Sequence, residues 1–342
     1  MTSRERILRA IRKEKVDRIP VSPWGLGRLD PNSEIAQELI KKTDIFVEAF
    51  SGVDPFWGEY IRGVEDLGDG RYRLSTPAGE FSWRIARTEI TQAMVEFPFK
   101  MPEDAERFLS LPYEKPSPSA RHFYELREWL GEEGLVLVGI PNGVCLPASF
   151  FSPEDFCLNW AVNPQLIIKL TEVGTERAIA MVEELCREGV DAFRIIGGEY
   201  VTQQLGPKGV DALLKPFDIP LIETIHRYGA IAYYHNHGKV RNFLRDLRDL
   251  GIDALDPLEA PPWGDVDLEE AQRLIGEDVC LVGNLDDMEI LNKMDEEMVK
   301  KIALERIKGI RPEGYILGGT ASGIYGEKAA HNFIALAEMI AQ

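Results

Sequence analysis

The sequence predicts an α/β protein, a (β/α)8 TIM barrel carrying a β-hairpin insertion, on three observations. In the second half, short apolar runs alternate with amphipathic stretches at about the length of one βα unit, which is the pattern of a parallel sheet with helices outside it. No G-x-G-x-x-G or Walker pattern follows any of these runs, so the glycine-rich first turn of an open doubly wound sheet is missing and no nucleotide cofactor is expected. Finally, 342 residues is an ordinary length for one barrel domain spanning 1–342, although two average domains would also fit.

Taken in order, Thr2-x-x-Glu5 is a capping box ahead of Ile7, Leu8 and Ile11, so an amphipathic helix opens the fold. Val16-Asp-Arg-Ile-Pro-Val-Ser22 reads as the first strand and leads into the loop Pro23-Trp-Gly-Leu-Gly-Arg28. Helical periodicity is expected over 33–42 and again around 45–50, before the turn-rich Gly52-Val-Asp-Pro-Phe-Trp-Gly58. Between 70 and 99 the period becomes two, with Tyr72, Leu74, Phe81, Trp83 and Ile85 alternating around Thr76-Pro-Ala-Gly79, which predicts a hairpin excursion within the barrel domain. Leu135-Val-Leu-Val-Gly-Ile140 has the continuous apolar character of a strand buried on both faces. Strands are then expected at 191–196, 230–234, 252–255, 279–284 and 315–318, separated by helices at 210–228, 239–250, 268–275 and 296–308, with one helix ahead of them at 164–188 and a last one from 327.

Bulk properties exclude several function classes. A formal charge of −18 argues against nucleic acid, whose phosphates need a basic face, and against a highly anionic substrate. The N-terminus is polar, and no run approaches the roughly 20 apolar residues that span a bilayer, so a cytoplasmic protein without membrane contact is expected. Cys145, Cys157, Cys186 and Cys280 are scattered without a C-x-x-C pair, which fits reduced, buried thiols.

The stretch with the most chemistry is Ile231-Ala-Tyr-Tyr-His-Asn-His-Gly238. Side chains alternate along a strand, so His235 and His237 share a face, their Cα atoms roughly 6.5–7 Å apart. Glu259, at the end of the next strand, is the natural third ligand, and Glu199, after the preceding strand, is either a fourth ligand or a proton donor. Two imidazoles and one carboxylate leave a zinc-like ion with an open position, as catalytic zinc requires. The reading places the histidine pair on the sixth barrel strand and the carboxylate on the seventh. In such barrels the strands' C-terminal ends form the active site, which adds Trp24, Arg28 and Asn284 as substrate contacts. Trp57 and Tyr200, with Phe56 and Trp263, either line a flat apolar pocket for an aromatic ligand or pack in the core. Asp54 is a candidate catalytic carboxylate, with turn capping as the equal alternative. His122, His226 and His331 lie in helical segments and are assigned no role.

Several motifs together resemble the uroporphyrinogen decarboxylase superfamily. They are Arg4-Glu-Arg-Ile-Leu-Arg-Ala-Ile with Val16-Asp-Arg-Ile-Pro, Tyr234-His-Asn-His-Gly-Lys239, Leu255-Asp-Pro-Leu-Glu-Ala-Pro-Pro-Trp-Gly-Asp265 and Val282-Gly-Asn284. Within it the chain looks most similar to the corrinoid-dependent methyltransferases, including the methyl-ether demethylases. The decarboxylase's arginine-bearing first loop is represented by Arg28 alone. Where coenzyme-M-type methyltransferases bind zinc with a His-x-Cys pair and a later cysteine, this chain has His235, His237 and Ala321-Ser322. A nitrogen and oxygen site suits polarising an ether oxygen better than ionising a thiol. The resemblance therefore implies O-demethylation of a methoxylated aromatic small-molecule donor, with zinc as cofactor and the methyl group passing to a Co(I) corrinoid. No D-x-H-x-x-G segment is present, so the corrinoid is expected on a separate partner protein. Barrels of this superfamily are often homodimers. The alternatives are a porphyrinogen-type decarboxylase using Asp54 and Arg28, and a non-catalytic binding barrel.

Overall fold

The N-terminal helix Ser3–Ile11 starts where Thr2 accepts a hydrogen bond from the Glu5 amide, as the capping box predicts. Its Ile7, Ala10 and Ile11 are buried against inward-facing Leu137, Ala254 and Ile316, so the helix closes one end of the barrel. The computed structural model describes residues 1–89, 91–320 and 324–342. Strands β1 (Val21–Ser22) and β2 (Ile45–Ala49) come next, followed by β3 (Val64–Gly68), β4 (Arg71–Thr76), β5 (Gly79–Arg87) and β6 (Gln92–Glu96). The remaining strands are β7 (Gly134–Pro141), β8 (Ala192–Ile196), β9 (Ile231–His235), β10 (Ala254–Asp256), β11 (Cys280–Asn284) and β12 (Tyr315–Gly318).

Eight of these form one parallel sheet in the order β1-β12-β11-β10-β9-β8-β7-β2. The two ends meet, because the Asp44 amide donates to the Val21 carbonyl, the Phe46 amide to Pro23 and the Gly25 amide to Phe46. The result is the (β/α)8 barrel. No described helix is long and apolar enough to cross a membrane.

Two expectations need correction. Residues 45–50 are not helical: Ile45–Ala49 is barrel strand β2, paired with β7. Five residues rich in β-branched and aromatic side chains are too few for periodicity to separate a buried strand from a helix, and the length favours the strand. Secondly, the histidine pair belongs to the fifth barrel strand, β9, not the sixth, and Glu259 follows the sixth. The strands between 50 and 134 lie outside the barrel.

Those strands, β3 to β6, make an antiparallel meander of four rather than a two-stranded hairpin. Leu74, Phe81 and Trp83 form its buried face. Trp57 sits beneath that face, with ring centroids 5.1 Å from Phe81 and 4.9 Å from Phe150.

Candidate active site

Alternation along β9 decides which side chains reach the barrel interior. Tyr233 packs with the inward cluster and Tyr234 with the outward one, so His235 and His237 continue the inward row. Strand β10 pairs in register with Asp256 opposite His235, and Nδ1 of His235 lies 3.0 Å from Asp256 Oδ1. One step further out, Nδ1 of His237 lies 3.2 Å from Glu259 Oε1, and the Gly238 amide donates to Glu259 Oε2 at 2.5 Å. The two imidazoles meet edge to face, their centroids 4.4 Å apart. Each ring thus has a carboxylate on Nδ1, while Nε2 makes no hydrogen bond among the described residues.

The electrostatics follow from depth. His235 is 6% exposed, and burial, reinforced by Arg194 and His237 against the pull of Asp256, holds its pKa below the ordinary value. His237 is also penalised by burial, yet the Glu259 hydrogen bond and charge carry its pKa above the ordinary value. Burial opposes ionisation of Asp256 and Glu259, but their imidazole partners hold both below the usual carboxylate range.

A second layer lies on the barrel axis. Arg194 projects inward from β8, donates to Glu48 Oε2 at 2.9 Å and stacks 4.2 Å over the Trp24 ring. Glu48 can lie across β7 because Gly139 faces it, where a Cβ would stand 1.9 Å from Glu48 Oε1. Four buried polar atoms in this region have no hydrogen-bond partner: Tyr233 Oη, Asp256 Oδ2, Arg194 Nε and Asn284 Oδ1. Unsatisfied capacity gathered inside the barrel on β8 and β9 and at the ends of β10 and β11 is what a ligand site requires.

The other expected residues fall in different places. Glu199 and Tyr200 follow β8 in the short helix Gly198–Thr202. Glu199 Oε2 accepts the Gly197 amide at 3.3 Å, and its charge contributes to the raised pKa of His237. Tyr200 is half-buried, and burial, with Cys145 and Glu199, pushes its hydroxyl up. Trp24 lies under Arg194, and Asn284 ends β11, buried at 3% exposure. Trp57 does not join them, being 4% exposed under the meander, where its area is needed for packing. Asp54 Oδ1 accepts the Phe56 and Trp57 amides at 2.7 and 2.9 Å, which makes it the cap of a turn. Arg28 is exposed and is held by its amide to the Tyr325 carbonyl, and no bond joins it to Asp54.

For zinc, the donor set fits in part. Two imidazole nitrogens are available, but Glu259 stands behind His237 instead of beside it, and no group of three His, Cys, Asp or Glu among the described residues could hold an ion. Ala321-Ser322 lie outside the described residues. Sequence reasoning missed Asp256, Arg194, Glu48 and Tyr233. Arg194 and Glu48 carried a signal, each being a lone charge inside an apolar strand-length run, and Asp256 lies at the same parity as Ala254 in its strand.

Comparison with known proteins bears on this site. A family model described as uroporphyrinogen decarboxylase (URO-D) matches residues 151–342, the part containing β8 to β12. The methylcobamide:CoM methyltransferase MtaA of Methanosarcina barkeri is 24% identical over 161 residues, 47% of this chain and 45% of that protein, so the match spans under half of the relative's length. A solved methyltransferase from Methanosarcina mazei superposes with a TM-score of 0.66 over 99% of both chains at 15% identity, a likeness of fold.

Proposed function

The chain belongs to the uroporphyrinogen decarboxylase family, and from that premise we propose that it is a methyltransferase subunit, moving a methyl group from a methoxylated aromatic donor to the Co(I) corrinoid of a partner protein. The observation that carries this reading is the doubled imidazole–carboxylate arrangement, His235 with Asp256 and His237 with Glu259. Carboxylates on the far nitrogen are what orient metal-bound histidines and raise their basicity. His235 and His237 would hold zinc through Nε2, and the ion when bound supplies Lewis-acid polarisation of the donor's ether oxygen. The similarity to a methylcobamide:CoM methyltransferase, in which a corrinoid carries the methyl group, supports a corrinoid protein as the partner.

The chain's own groups then have separate tasks. Asp256 and Glu259 fix the two rings, and the low pKa of His235 keeps that imidazole neutral and able to donate its lone pair. Glu199, anchored by the Gly197 amide, is positioned near His237 to deliver a proton to the departing oxygen. Trp24, with Arg194 over one face, fills the barrel axis next to His235. We take residues 1–342 as one cytoplasmic barrel domain with the meander as an excursion.

The test is to mix zinc-loaded protein with a Co(I) corrinoid protein and a panel of methoxyarenes, following methylated corrinoid by absorbance. The expected result is methylation by at least one donor, with about one zinc per chain that a His237→Ala variant loses. Methylation by metal-free protein, or decarboxylation of an acid at the same site, would overturn the reading.

A further inference from the structure

Beside Glu259 the mouth opens sideways into two adjoining pockets, an inner one of about 220 Å³ and an outer one of about 570 Å³. Arg306 lines both, as does Asn284. Arg306 belongs to the last turn of the helix Glu296–Ile307, where a cation is favoured by the helix dipole. Yet it does not turn back onto that helix's carbonyls. It reaches across to the Asn284 carbonyl, to which Nη1 donates at 3.3 Å, and no carboxylate lies within ion-pair distance of it among the described residues.

Three nearby acids are engaged elsewhere, while Glu269 and Glu305 line the outer pocket only. Asp286 caps the Met288 and Glu289 amides, Glu289 pairs with Lys293 at 2.6 Å, and Asp265 accepts the Arg241 amide. Arg306 is half-buried, and burial lowers its pKa. A desolvated guanidinium without an anion is a costly arrangement that a bidentate carboxylate relieves. Asn284 is 3% exposed and its Oδ1 has no partner. Trp263, Pro262, Ile290 and Met294 give the inner pocket apolar walls, and its remaining polar lining is Thr320 and the carboxylates Glu259, Asp286 and Glu289, each of which already has a hydrogen-bond or ion-pair partner. A dry cavity of about 150 Å³ accepts benzene, so this one is large enough for a single substituted ring.

We infer that the inner pocket receives a one-ring ligand bearing a single carboxylate, with Arg306 as its anion-recognising residue. Resting on the methyltransferase reading, this ligand is the methyl donor, its ring beside Glu259 and its carboxylate on Arg306. One carboxylate against one unpaired arginine is compatible with an acidic chain, where a polyanion is not.

The experiment is calorimetric titration of benzoate, 3-methoxybenzoate and anisole into wild type, Arg306→Met, Arg306→Lys and Trp263→Ala, with melting temperatures as a check on folding. Both benzoates should bind wild type saturably, at least about 10-fold more weakly to Arg306→Met, with partial recovery in Arg306→Lys, while anisole is indifferent to Arg306. Trp263→Ala, an exposed loop position, should weaken all three ligands. Benzoate binding unchanged in Arg306→Met, or no saturable binding by wild type, overturns the assignment. Benzoate has no methyl group, so its binding is blind to catalysis. If it binds through Arg306 while no methoxyarene of the panel methylates a corrinoid, the methyltransferase reading falls and the pocket assignment stands.

Discussion

The two ends of the barrel treat their polar groups in opposite ways. At the base, Arg6 divides its guanidinium between Asp17 and Asp44 at 2.6 Å each, Arg18 takes the second oxygen of Asp44, and that same oxygen accepts the Val21 amide. Arg4 and Arg127 share Asp191, and His226 pairs with Asp253. At the mouth, by contrast, Tyr233, Asp256, Arg194 and Asn284 each keep a buried atom without a partner. A network that is saturated can only stabilise the fold, whereas one left incomplete is available to a ligand. The same chemical groups therefore do structural work at one end and wait for chemistry at the other.

The comparison breaks most visibly at the base. Arg6→Ala leaves the fully buried Asp44 short of a partner and should cost about 3–5 kcal/mol in chemical denaturation, with activity per folded molecule unchanged. A loss of activity without a loss of stability would mean that the base takes part in catalysis. At the mouth the expectation reverses: His235→Ala should abolish bound zinc and lower methyl transfer by more than about 100-fold, with a small change in denaturation midpoint. Elemental analysis and the corrinoid assay read the two effects separately. Asp256→Asn sharpens the contrast further, because it keeps the shape but weakens the hold on His235 Nδ1. It should cost about 10–100-fold in zinc affinity.

The smallest effect concerns pH. His226 has a raised pKa because Asp253 accepts its hydrogen bond, an effect larger than the opposing burial. A raised folded pKa means that its contribution is fully present below the ordinary value of 6.5 and disappears as pH rises through the folded value. The melting-temperature gap between wild type and His226→Gln should therefore be widest below pH 6.5 and narrow as the pH rises past the raised folded value. A gap independent of pH would remove His226 from the set of base ion pairs.

How far this division was legible in the sequence depends on residue type. His235 and His237 stood out because two imidazoles at strand spacing are rare, and the alternation that puts them on one face is a property of any strand. The βα rhythm of the second half was equally readable, since its runs are long and bounded by turns. Glu48 was missed because Ile45–Ala49 is too short for its period to be measured, and a residue without an assigned face cannot be assigned a role. Arg194 and Asp256 needed the pairing of β8, β9 and β10, which fixes who stands beside whom and is a tertiary fact. Trp57 and Asp54 show the opposite failure. An aromatic or a carboxylate near a strand end looks functional until the meander that covers the one and the turn that uses the other are known.

The helix Ser3–Ile11 has a last consequence. With that plug in place nothing passes through the base, and whatever goes in must come out at the mouth or through the pockets beside Glu259. If a second protein sits over the opening to collect the methyl group, the pockets beside Glu259 are the way left for spent donor.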